Sequence, residues 1–245
     1  MTGEQRYISN ELTHLVGGKL TSYKAQYKIL IKILKEGYIT YPPHEEKNRS
    51  IRLLFTHYKA DFTKNELYVP SMVCFCDIPV CDLSIHIKKY SPFGLAFDKK
   101  FIASKGGGPV YYVPKTAAPA WPVGQDSVED RGHVFDQKIK ECYRLLDDLA
   151  CAKNEWSDRA GSVQRFLGGS IFAYTKCFDH TLMDKHDDNY YFEREWRVLG
   201  NLKFSIKDVK RIIIPENYAV KFRKDFPDYC GQLIFSTSNP AAVGG

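Results

Sequence analysis

The stretch YYFEREWRVL, residues 190–199, places two carboxylates and a guanidinium at alternate positions. In an extended strand, successive side chains point to opposite faces. Glu193, Glu195 and Arg197 would then share one face while Phe192, Trp196 and Val198 share the other. Such a row either presents organised charge to a cleft or forms solvent-facing Glu–Arg pairs of small energetic consequence. Both readings are open at this level.

Other groups could join such a site. His14 in NELTHLVGG stands on a predicted short N-terminal strand, and the two glycines after it would let a ligand approach the backbone. Cys74, Cys76 and Cys81 in CFCDIPVC, with His86 five residues on, lack the paired knuckles of a structural zinc site and read as thiols on a strand, so no metal is expected. The glycine run of KGGGPV matches neither a P-loop nor a dinucleotide fingerprint and reads as a turn.

The elements that must position these residues follow from periodicity. TSYKAQYKILIKILKEG places Tyr23, Tyr27, Leu30 and Leu34 on one helical face, with Thr21 or Ser22 to cap its start and Gly37 to close its end. Its other side carries Lys24, Lys28, Lys32 and Lys35, a basic stripe that a phosphate backbone could follow or that water solvates. LYVPSMVCFCDIP, PFGLAFDKKFI and GGGPVYYVP read as strands, with SIHIKKYS a short helix placing His86 and Tyr90 one turn apart. From about 127 to 168 the pattern is helical, with Phe135, Ile139, Cys142, Leu146 and Leu149 spaced four, three, four and three. GSIFAYTKCF, YYFEREWRVL, VKRIIIP and GQLIFSTS return to strands, with ENYAVKFRKDF a short helix between the last two.

The 245 residues, 44% hydrophobic and 26% charged, fit one globular domain spanning 1–245. A formal net charge of +6 mildly favours anionic partners. Seven scattered cysteines do not make a disulfide framework and predict reduced thiols in a cytoplasm. The N-terminus lacks the apolar core of a signal peptide, and no run is apolar enough to span a bilayer.

His14 on its strand, ILKEGYI, MVCFCDIP, FGLAFDKKFI, GGPVYYV, YYFEREWRVL and RIIIP together resemble the bacterial AbiGi family of abortive phage-infection proteins, some members of which carry an antitoxin label. More remotely, the order of a first His, a central aromatic strand and a late Glu-x-Glu strand resembles the ADP-ribosyltransferase superfamily, including toxins that modify nucleic acid. That likeness implies an α+β fold with a split, mostly antiparallel sheet and surrounding helices, in which the periodic helical stretch at about 127–168 is an insertion without a counterpart. It implies NAD as co-substrate. Cleavage of the nicotinamide–ribose bond builds an oxocarbenium-like cation, which a fixed carboxylate stabilises. By that resemblance Glu195 would hold the ribose hydroxyl and oppose the cation, and Glu193 would orient or deprotonate the nucleophile. His14 would bind the adenosine-side ribose, Tyr111 or Tyr112 would stack on nicotinamide, and Arg197 would pair with a glutamate or meet the pyrophosphate. The expectation is a toxin transferase that modifies RNA or DNA, is restrained by an antitoxin, and arrests growth when expressed alone. The alternatives are an NAD glycohydrolase and a non-catalytic antitoxin or phage-sensing binding protein.

Overall fold

The computed structural model describes residues 9–41, 60–68, 70–115, 128–183, 186 and 189–236. The chain divides into two compact units, one of Met1–Ile51, Met72–Gly108 and Glu193–Gly245, the other of Arg52–Ser71 and Pro109–Phe192.

In the first unit, β1 (Glu11–Leu15), β3 (Met72–Cys76), β4 (Gly94–Asp98), β8 (Glu195–Leu199), β10 (Val209–Ile214) and β11 (Gln232–Phe235) join β5 (Gly108–Pro109) in a seven-stranded sheet of order β11-β10-β4-β1-β3-β8-β5. The pairs from β10 to β8 are antiparallel, and β10 with β11 is parallel. The sheet is thus mostly antiparallel, as expected. A two-stranded pair of β2 (Tyr38–Ile39) and β9 (Leu202–Lys203) stands apart from it.

Alternation along the strands gives the sheet two different faces. One carries Leu12, Val73, Phe75, Leu95, Phe97, Val198, Ile212 and Ile214, all buried in the main core. Helices contribute to that core as well: α1 (Tyr23–Glu36) through Tyr27, Leu30, Ile33 and Leu34, α6 (Ala219–Asp225) through Phe222, and the short helix Lys99–Ser104 through Ile102. The Ser22 hydroxyl caps α1 by accepting from the Ala25 N–H. Gly37 ends it at φ 62, a left-handed position that glycine takes without Cβ strain. The other sheet face packs Cys76 and Ile213 against Ile78 and Leu83, in a smaller cluster that Val80 and Ile87 extend. Ile87 lies on α2 (Ser84–Lys89).

Three segments predicted as strands turn partly helical, YYFEREWRVL being the third. The end of the run PFGLAFDKKFI forms, with Ala103 and Ser104, helix α3 (Lys99–Ser104), because the Asp98 side chain accepts from the Lys100 N–H and caps a helix start. In GSIFAYTKCF only Thr175–Phe178 is a strand, after a π-helical turn at Leu167–Ile171 and a 3-10 turn at Phe172–Tyr174.

The second unit is built on α4 (Val128–Cys151) and α5 (Ser157–Phe166), beside a parallel pair of β6 (Tyr111–Pro114) and β7 (Thr175–Phe178). Its core joins Phe62, Leu67 and Cys177 to Val113, Phe135, Ile139 and Phe172. The inward stripe of α4 departs from the expected spacing. Phe135 and Ile139 face the core, but Tyr143 is the buried residue of the next turn, and Cys142 and Leu149 are exposed. The buried side follows the i, i+4 row of Phe135, Ile139 and Tyr143 rather than the row through Cys142. Asp136 is buried on the same side and accepts from both the backbone N–H and the hydroxyl of Thr63, at 2.9 and 2.6 Å. No described helix is long and apolar enough to cross a membrane.

Candidate functional site

The run YYFEREWRVL is not one strand. Tyr190–Glu193 is a 3-10 turn, Arg194 takes φ 45, and the strand begins at Glu195. A non-glycine residue at positive φ is strained, and such positions persist where the surroundings hold them. Here the Asp77 N–H donates to the Arg194 carbonyl at 3.0 Å, and an Arg194 Nη2 lies 3.7 Å from the Asp77 carboxylate. Glu193 therefore leaves the strand register that was expected to align it with Glu195.

Register across β3 and β8 pairs Cys76 with Glu195 and Cys74 with Arg197, and Thr13 on β1 pairs with Cys76. These residues form the polar row of the sheet face opposite the main core. The expectation of a carboxylate face open to a cleft is corrected by burial. Glu195 and Arg197 side chains are each 8% exposed, and the guanidinium meets the carboxylate through Nε at 2.8 Å and Nη2 at 3.3 Å. Two adjacent same-face positions of one strand thus form a two-pronged ion pair inside the protein. Glu193 is also buried and accepts from the Tyr90 hydroxyl and from Lys89 Nζ, the latter at 3.0 Å. Both donors come from the C-terminal end of α2.

Around these pairs lie further polar groups. Asp77, buried just past β3, accepts from Lys99 Nζ at 2.9 Å, and that ammonium stands 5.6 Å from the Trp196 ring. His86 packs 6.5 Å from Tyr90, and burial lowers its pKa, with Lys89 acting in the same direction and Glu193 against it. Burial pushes the Cys76 thiol up to about 12, so at neutral pH it is a protonated thiol rather than a nucleophile.

His14 does stand on β1, but it is its neighbour Thr13, paired with Cys76, that shares the face of Glu195. His14 projects to the other face, its ring 5.7 Å from Phe75, with Nδ1 2.8 Å from the Cys74 carbonyl oxygen. Tyr111 and Tyr112 belong to β6 of the second unit, where Tyr111 is exposed and Tyr112 meets Phe178 and Tyr191 edge-on at 6.4 and 5.5 Å. Lys24, Lys28 and Lys35 are exposed on α1, and Lys32 is half-buried. Sequence reasoning missed Asp77, Lys89 and Lys99 as partners of this row. The one signal available was the acid that directly follows the strand in CFCDIP.

Residues 56–229 match the family model described as "Putative abortive phage resistance protein AbiGi, antitoxin". The chain belongs to the AbiGi family. No curated protein and no solved structure matches it. The family match bears out the AbiGi resemblance and overturns the principal expectation of function: the AbiGi description names an antitoxin, not a transferase toxin that uses NAD. The remoter likeness to ADP-ribosyltransferases has no structural neighbour behind it; the fold is a mixed α/β one with a mostly antiparallel sheet.

Proposed function

We propose that this chain is the antitoxin of an abortive phage-infection pair and that it works by binding a toxin protein, without turnover. The observation that carries this reading is the AbiGi match over residues 56–229. The state of the carboxylates supports it. A carboxylate that acts on a substrate must reach it, whereas the Glu195 oxygens face Arg197 and Glu193 is engaged by Tyr90 and Lys89. Buried charges that satisfy one another in this way hold a sheet face in one arrangement. The AbiGi polar row is thereby a frame for the fold.

The test is a growth assay with the toxin that this reading gives the chain as its partner. The toxin alone should arrest growth, the AbiGi chain alone should not, and co-expression should restore growth. Arrest by the chain alone, or failure to restore growth at confirmed expression, would refute the antitoxin reading.

A further inference from the structure

The antitoxin reading, on which this inference rests, names a class of partner but no surface for it. In the first unit α1 and α6 carry seven Lys and Arg against two acids, Glu36 and Asp225, which is five of the six net positive charges of the whole chain. The concentration follows from how the two helices pack. Helix α1 turns Gln26, Tyr27, Leu30, Ile33 and Leu34 inward, which leaves Lys24, Lys28 and Lys35 exposed along the adjoining sector.

Tyr27 brings α6 alongside. Its hydroxyl donates to Asp225 Oδ2 at 2.7 Å, its ring lies 4.9 Å from Tyr218 just before α6, and Lys221 Nζ stands 5.0 Å over it. Asp225 also accepts from Lys221 at 2.9 Å. The Tyr27 hydrogen bond, then Lys221 and more weakly Lys35, hold its carboxyl below the usual range. The single acid of α6 is thus neutralised within the face, and Lys24, Lys28, Lys35 and Lys224 remain as exposed cations. Among them the surface is not purely ionic. Val220, one helical turn before Lys224 on α6, is 85% exposed.

A phosphate backbone is met chiefly by cations, whereas an exposed aliphatic side chain among them suits a protein interface, where apolar contacts lie inside a polar rim. We infer that the α1–α6 face is the surface that docks the toxin, and that the toxin presents an acidic patch to it. Opposed charge of this kind steers encounter and sets the association rate.

The experiment measures binding of the chain to the toxin identified by the growth assay, by surface plasmon resonance at several salt concentrations. A Lys24→Glu/Lys28→Glu/Lys224→Glu variant should bind about tenfold more weakly or worse, chiefly through a slower association, with a flattened salt dependence. A control with the same change of charge, Lys88→Glu/Lys100→Glu/Lys105→Glu, should bind like wild type, and thermal melting should show both variants folded. Unchanged toxin affinity in the first variant overturns the inference, and so does an equal loss in the control. Loss of binding to a short RNA or DNA duplex with toxin affinity intact also overturns it and makes the face a nucleic-acid one. If the unaltered chain does not bind the toxin at all, the antitoxin reading fails, a result distinct from these.

Discussion

Glu195 and Arg197, two residues apart on β8, face each other through two hydrogen bonds of 2.8 and 3.3 Å while both side chains are almost wholly buried. Removing one partner of a buried pair leaves the other charge stranded, which destabilises by about 3–5 kcal/mol, whereas replacing both with apolar groups is far milder. Glu195→Gln should therefore lower the denaturant midpoint strongly, and Glu195→Leu/Arg197→Met should recover much of the loss. Equal midpoints for Glu195→Gln and wild type would show that the pair contributes nothing to stability.

The Tyr90 hydroxyl and Lys89 both serve Glu193, and they are not equivalent. Tyr90→Phe removes one donor to a buried carboxylate and should cost about 1–3 kcal/mol. Lys89→Met removes the counter-charge and should cost more. Thermal melting of the two variants gives the order directly.

His86 makes stability depend on pH. Its folded pKa lies below the ordinary value of 6.5, chiefly because burial disfavours the cation. The unfolded chain therefore binds the proton more readily, so stability is full above 6.5 and falls as pH drops from there toward the folded pKa. The melting temperature should fall on acidification through that window, and His86→Phe should flatten the slope there.

Two glycines separate steric from conformational demands. At Gly168, in the π-helical turn of the second unit, an added Cβ would run into the Tyr68 ring and hydroxyl. Gly168→Ala should cost about 1–3 kcal/mol by overpacking. Gly106 has φ +81 and open space around it, so Gly106→Ala should cost only the left-handed penalty of about 1 kcal/mol. Chemical denaturation of both variants checks the difference.

What was legible in the sequence was what repeats locally. The caps and buried face of α1, the short apolar runs of β4 and β10, and the helical stretch after residue 127 follow from local pattern alone. What was not legible depends on long-range partners. Nothing in EREW announces that Arg194 takes a positive φ, because the hydrogen bond that holds it comes from Asp77, far away in the chain. The burial of Glu193 likewise depends on α2 laying Lys89 and Tyr90 against it. Alternation correctly set Glu195 and Arg197 on one face, but it could not tell an exposed charged row from an internal one, since both have the same period. Function misled for a related reason: a Glu-x-Glu pattern fits a catalytic pair and a structural ion-pair row equally well.

The most direct measurement of the central claim is a titration of the toxin's activity with the purified AbiGi chain. Inhibition by binding predicts that residual activity falls linearly to an end point at a fixed molar ratio and does not deepen with longer incubation. Silencing of many toxin molecules by one chain, or inhibition that grows with time or with added NAD, would contradict it.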